Sequence, residues 1–290
     1  MRLLFIGFLC WLLAACSTTL QIEEKNFIRP DKLTGTTPTR KLDQASLQAA
    51  QLETQMTELT VTGSGTATLH GVLLRRPNAV ATVLYFGGNA FHLDDSAKDL
   101  AKELATCPIN LMVFDYRGYG RSDGEPTVAN MQQDALALFD SASAQFPDGV
   151  FVHGHSLGSF VAAYVAQQRP VRGLVLEGTA NHALGWTQAN VPWYVQPFVT
   201  VEVSSSLQDI DNTKVLAHFT RPSLILAGSQ DRVTPPDLGR KVFEAMPAGA
   251  KEFVLVDGAK HNDILSHAEA VTSYCSFLRR GTQLAARAHQ

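Results

Sequence analysis

The chain has 290 residues, 45% hydrophobic and 18% charged, with a formal net charge of −3. This is an ordinary globular composition that fits one large α/β domain better than two small ones, and its near-neutral charge gives no reason to expect nucleic acid or another polyanion as partner. Four cysteines do not make a disulfide scaffold, and no fixed-period repeat or long low-complexity tract is present.

Residues 1–15 read as an export signal: Arg2 supplies a positive start, and Leu3 to Leu13 is apolar but too short to span a bilayer as a mature helix. The segment ends Leu13-Ala14-Ala15-Cys16. That end resembles a bacterial lipoprotein lipobox, which implies acylation of Cys16 and a membrane partner through an N-terminal lipid anchor. Ser17 after the cysteine resembles lipoproteins sorted to the outer membrane, facing the periplasm in a Gram-negative host. Cys10 lies inside the signal and would be lost with it. Residues 16–55 are polar and Thr-rich, without a regular period, and are expected to be a tether or a loosely docked arm. A short helix is possible over Leu42 to Leu52.

Residues 56–290 carry alternating strand and helix signals. Glu58–Thr62 and Thr66–Arg75 flank Gly63-Ser64-Gly65 as a hairpin. Val80–Phe86 is an apolar strand ended by Gly87-Gly88-Asn89-Ala90, and Leu93–Ala105 has helical spacing with Asp94 and Asp95 in its first turn. Ile109–Phe114 is the next strand, followed by the loop Asp115-Tyr116-Arg117-Gly118-Tyr119-Gly120 and a helix over Val128–Phe146. Gly149–His153, Arg172–Leu176, Pro222–Ala227 and Glu252–Val256 read as further strands, and Asp237–Ala245 and Ile264–Arg279 as helices. Between about 181 and 218 the alternation breaks into a stretch rich in Trp, Tyr and Pro, expected to be a short cap. Strands alternating with helices predict a mainly parallel sheet with ligands beyond its strand carboxyl ends.

Gly154-His155-Ser156-Leu157-Gly158 lies between a strand and an apolar helical run, the context a nucleophile elbow requires. The turn is so tight that side chains two residues either side of Ser156 would collide, and glycine removes them. With the 115–120 loop and the 87–90 turn, this pattern resembles the α/β-hydrolase fold over roughly Glu58 to Arg279. The resemblance is to its monoacylglycerol-lipase-like and serine-aminopeptidase-like serine hydrolases. It implies the chain order Ser, acid, His.

On that resemblance the acid is Asp231, in Gly228-Ser229-Gln230-Asp231-Arg232-Val233-Thr234-Pro235, with Asp257 and Asp211 as competitors. The base is His261, in the loop after the last strand. An imidazole with an unperturbed pKa of about 6.5 can take a proton and return it near neutrality. His153, His155 and His267 fall in a strand, in the elbow's variable position and on a helix, and none of the nine histidines has metal-ligand spacing. The oxyanion donors are the N–H of Leu157 and that of Asn89, with Ala90 second. The family often has His where Gly87 stands. Trp186, Trp193 and Tyr194 are expected to line an acyl or aromatic substrate pocket, or to pack helices over the sheet. Arg117 and Arg121 are expected to brace their loop rather than meet an acidic substrate. Cys107 and Cys275 fall on helices over one sheet face, as a disulfide or as two separate buried thiols.

The function this implies is an exported serine hydrolase of an ester or thioester with a small or lipid-like acyl group, acting through an acyl-enzyme. It needs no metal or organic cofactor. A peptidase or amidase of the same fold is the alternative, and a non-catalytic envelope lipoprotein that keeps the fold for binding is the second.

Overall fold

A computed structural model describes residues 18–288; the expected export signal and Cys16 lie outside them. In chain order the elements begin β1 (Thr18–Ile22), α1 (Glu24–Phe27), α2 (Asp31–Thr34), α3 (Gln44–Ala49), β2 (Gln55–Thr62), β3 (Thr68–Arg75) and β4 (Ala81–Phe86). They continue α4 (Leu93–Glu103), β5 (Ile109–Phe114), α5 (Val128–Gln145), β6 (Val150–His155), α6 (Leu157–Gln168), β7 (Gly173–Glu177) and α7 (Ala183–Asn190). The chain closes with β8 (Val199–Val203), α8 (Ser205–Gln208), α9 (Asn212–Val215), β9 (Ser223–Gly228), α10 (Pro236–Ala245), β10 (Lys251–Val256) and α11 (Ala268–Ala288).

Eight strands form one sheet in the order β10-β9-β7-β6-β4-β5-β3-β2. β3 runs antiparallel to both of its neighbours, and the remaining pairings are parallel. β4, β5 and β9 are buried at every residue, as expected of strands covered on both faces. The edge strand β2 alternates between half-buried and exposed positions along most of its length. One face packs side chains of α5, α6 and α10, including Phe139, Val161, Ala162 and Val242. The other packs α4 and α11, including Leu93, Leu100, Tyr274 and Phe277. From β4 the chain goes first to β5 on one side and then to β6 on the other, so strand order reverses between β4 and β6. Their carboxyl ends flank the crevice where ligands of open α/β sheets bind.

Cys107 and Cys275 meet on the α4/α11 face as buried, free thiols. Their mutual hydrogen bond and burial push the Cys107 thiol well above its ordinary pKa.

The segment before β2 packs on the domain as an arm rather than standing off it as a tether. β1 pairs in parallel with β8 in the segment between β7 and β9, in the register Thr18↔Val199 to Ile22↔Val203. Phe27 and Ile28 are buried in one core, and Leu42, Leu47 and Leu52 in the other. Asp43 caps α3, accepting from Ser46 N at 2.7 Å. The Leu42 N–H donates to Asp94 at 2.7 Å, and Arg121 donates to the Leu42 carbonyl at 3.1 Å. The arm lacks a hydrophobic period because it docks through separate anchor residues rather than through one continuous face.

Leu47 is fully buried, so Leu47→Ala is expected to cost about 2–5 kcal/mol. The measurement is the denaturant midpoint of the full chain. An unchanged midpoint would show the arm to be undocked in solution.

Candidate active site

The elbow follows from steric contacts. Ser156 has φ 53° and ψ −118°, a conformation costly for any residue with a Cβ and held only by its surroundings. A Cβ on Gly154 would stand 2.2 Å from the Gly158 carbonyl oxygen, and one on Gly158 would stand 2.1 Å from that of Phe86. Both glycines are therefore needed for the strand, the turn and α6 to approach so closely. The Ser156 N–H donates to Glu177 O of the neighbouring strand at 2.9 Å, tying the strained residue to the sheet.

Three residues remote in sequence meet at this corner. Ser156 Oγ lies 2.9 Å from His261 Nε2, and His261 Nδ1 lies 2.8 Å from Asp231 Oδ2. The carboxylate has further donors: Oδ1 accepts from Val233 N and Thr234 N, both at 2.8 Å. The Thr234 hydroxyl sits 2.7 Å from Asp231 Oδ2 and 2.9 Å from the Gly178 carbonyl, either of which can accept its proton. Burial pushes the Asp231 carboxyl up, but the bonds and charge of His261 and the bonds from Thr234 outweigh it, leaving the pKa below its ordinary value. An ionised, fixed acceptor on Nδ1 leaves Nε2 free to take a proton from Ser156.

The competing acids are committed elsewhere: Asp211 caps α9, and Asp257 accepts from Ser229 Oγ at 3.2 Å. His153 is buried against Glu177 at 3.1 Å, and His267 faces Asp263. His155 Nε2 lies 3.0 Å from the His261 backbone oxygen, so the variable elbow residue holds the loop that carries the imidazole. Burial lowers the His155 pKa, which favours the neutral form.

The turn after β4 closes the other side. A Cβ on Gly88 would lie 2.9 Å from His155 Nδ1 and 3.3 Å from Ser156 Cβ, so bare backbone runs over the elbow. Among the described residues, the N–H groups of Asn89 and Leu157 donate no backbone hydrogen bond, and both residues line the cavity that holds Ser156. Unengaged backbone donors beside one hydroxyl are what an oxyanion site would draw on. The Asn89 side chain builds the turn, donating to Phe27 O at 2.8 Å and accepting from Tyr119 Oη at 2.9 Å and Arg29 N at 3.1 Å. Gly87 stands where the resembling family often has His because the Phe91 ring fills that space, only 2.2 Å from where a Cβ would be.

The cavity over Ser156 measures about 220 Å³ and is walled by Phe27, Phe160, Trp186 and Val233. Leu157 and Phe160 also border a second, apolar hollow lined by Val128, Met131 and Val161. Trp186 is thus brought to the site, while Trp193 and Tyr194 stand on the cap surface, 80% and 62% exposed, outside the cavity lining. Arg117 is buried and forks onto Asp134 at 2.9 and 2.7 Å, and Arg121 holds Asp94 and the arm. Both brace the loop.

Sequence reasoning missed Thr234, the loop-holding contact of His155, and Phe27. Thr234 follows the acid by three residues, and its hydroxyl was a local signal. Phe27 gave none, because the residues it meets at the site, Asn89, Phe160 and Trp186, lie about 60 to 160 residues away in the chain.

Residues 77–208 match the family model described as serine aminopeptidase, S33. An uncharacterized protein of Mycobacterium tuberculosis is 32% identical over 184 residues, covering 62% of this chain and 63% of that one. The lysophosphatidylserine lipase ABHD12 of Macaca fascicularis is 32% identical over 188 residues, covering 60% of this chain and 47% of that one. The chain thus matches less than two thirds of these relatives' length. Among solved structures, the Pyrococcus furiosus esterase Pf2001 superposes with a TM-score of 0.66 at 18% identity, covering 85% of this chain and all (100%) of that one. The α/β-hydrolase domain-containing protein 10 from mouse gives 0.61 at 18% identity, covering 77% and 97%. With the sheet order above, these likenesses show that the protein has the α/β-hydrolase fold.

If the Asp231 contact orients the imidazole, Asp231→Asn lowers kcat by on the order of 10³–10⁴ with an unchanged far-ultraviolet spectrum; a kcat within about tenfold of the parent would contradict that role. Asp231 also gives a pH test of stability. A lowered carboxylate pKa contributes stability that is present above about pH 4, the unfolded value, and lost as pH falls through the folded value. Acid titration monitored by urea unfolding is expected to show a shallower acid-side slope in Asp231→Asn.

Proposed function

We propose that this α/β-hydrolase-fold protein is a serine hydrolase that cleaves an ester or thioester of an apolar acyl group and is held at the cell envelope by a lipid on Cys16. The observation that carries the catalytic part is the unbroken relay from Ser156 Oγ through the imidazole to Asp231, with steps of 2.9 and 2.8 Å, at a strained corner inside a cavity. A fold kept only for binding has no need of such a corner.

In this reading His261 takes the Ser156 proton at Nε2 as Oγ attacks the acyl carbonyl. Asp231 stays ionised and stabilises the imidazolium without taking its proton. The N–H groups of Leu157 and Asn89 donate to the oxyanion. The imidazolium then gives its proton to the leaving oxygen or sulfur as the carbonyl reforms. Water, deprotonated by the same nitrogen, releases the acid and restores Ser156. The walls Phe27, Phe160 and Trp186 support an apolar acyl group, since they offer contact area and no charge. The lipase and esterase names of the relatives point the same way.

An amide or peptide substrate is the second reading, favoured by the family description of residues 77–208. The envelope assignment rests on Leu13-Ala14-Ala15-Cys16, with the outer membrane, facing the periplasm, as the site in a Gram-negative host.

A fluorophosphonate probe with intact-mass detection tests the catalytic reading. One adduct is expected on the wild-type chain and none on Ser156→Ala. Folded wild-type protein that takes no label would favour the binding alternative. Matched ester and amide substrates with one shared acyl group then decide between the bond types, with the ester expected to turn over faster.

A further inference from the structure

The cap presents large apolar side chains to water. Trp193, Tyr194 and Phe198 are 80%, 62% and 56% exposed, and Leu20 of β1 is 41% exposed. The Trp193 and Tyr194 rings meet edge to face, 5.9 Å apart, so they support each other without being covered. No Asp, Glu, Lys or Arg occurs between Glu177 and Glu202, and β1, Thr-Thr-Leu-Gln-Ile, is likewise uncharged. A soluble surface of this kind normally carries charge, and exposed apolar patches rimmed by polar groups mark interaction sites.

Two observations indicate what covers it. The first is side-chain type: Trp and Tyr, with an apolar body and one polar atom, favour the boundary between hydrocarbon and water. An uncharged segment can enter that boundary without desolvating an ion. The second is where the described chain begins. Thr18 pairs with Val199, the residue after Phe198. Cys16 lies two residues before Thr18, a chain length of at most about 7 Å. A lipid on Cys16 would therefore enter a membrane beside this same patch. Among the described residues no helix is long and apolar enough to cross a membrane.

We propose that the uncharged cap surface of Trp193, Tyr194 and Phe198, edged by Leu20, seats in the interface of a phospholipid bilayer. The seat and the lipid would form a two-point attachment that neither supplies alone. It also orients the active site. Asn190, at the end of α7, donates to the Val233 carbonyl at 3.0 Å, and Val233 is both 41% exposed and part of the Ser156 cavity wall. The cap is thus tied to the rim of the cavity, and seating it brings that rim close to the bilayer, where acyl substrates reside. The proposal rests on the Cys16 reading for one of its two supports, and the test separates them.

The full chain, purified from membranes with its own processing, is reconstituted into phosphatidylcholine vesicles with and without brominated acyl chains. Bromine quenches indole emission on contact. The expected result is quenching of an emission component that is absent from Trp193→Phe. Intact mass of the same sample reports the lipid on Cys16. A lipid-bearing chain whose Trp193 emission ignores brominated lipid overturns the seat and leaves the anchor standing. Quenching without the lipid overturns the anchor and leaves the seat. Self-association that Trp193→Ser abolishes, with no quenching, would assign the patch to a second copy of the chain and overturn the bilayer as occupant.

Discussion

Ser156 holds backbone angles of φ 53° and ψ −118°, and the arrangement of the site depends on that one corner being enforceable. The corner exists because backbone atoms pass where side chains would otherwise stand: the Gly158 carbonyl over Gly154, the Phe86 carbonyl over Gly158, and Gly88 over Ser156 itself. The strain is met by packing. β6 is central to the sheet, and α6 buries Val161, Ala162 and Val165 against it. Those contacts offset a cost of order 1–3 kcal/mol for a residue in such a region. The same crowding leaves the Leu157 and Asn89 N–H groups, among the described residues, without backbone acceptors beside the hydroxyl. The strained serine and the two N–H groups beside it are two results of one geometric constraint.

The arm before the hydrolase core belongs to the site. Phe27 lines the cavity and packs edge to face on Trp186, with ring centroids 5.5 Å apart, and against Phe160 at 5.9 Å. Its carbonyl and the Arg29 N–H are held by the Asn89 side chain, so the turn after β4 is pinned by residues from the arm. β1 adds its strand to β8 of the cap. A segment that leads from the N-terminus thereby touches the cap, the cavity wall and the turn after β4 in succession. A lipid at Cys16 would attach to the part of the chain that shapes the pocket, not to a free spacer.

The central strands were legible because each is a short apolar run bounded by glycine or polar turns, and the alternation with helices gave the parallel sheet. Ser156, Asp231 and His261 were legible as residue types because each lies just beyond a recognisable strand. Residue type alone does not place them together; chain order and the family resemblance implied it, and the fold brings them within 2.9 and 2.8 Å. The arm was not legible, since Leu42, Leu47 and Leu52 are single anchors without a period and β1 finds its partner about 180 residues away. The cap aromatics were legible only as a cluster. Trp186 points into the cavity and Trp193 into water, a difference set by the turns between α7 and β8 rather than by residue type. Gly87 departs from the pattern of the family the sequence resembles, and the reason, the Phe91 ring, depends on the fold of the turn.

The central claim is that hydroxyl, imidazole and carboxylate act together beneath two backbone donors. The most direct measurement is a crystal structure of the chain after reaction with a small phosphonate ester. The account predicts a bond from phosphorus to Ser156 Oγ, with the phosphonyl oxygen accepting from the N–H groups of Leu157 and Asn89. Phosphorus on another residue, or a phosphonyl oxygen turned away from both donors, would contradict it.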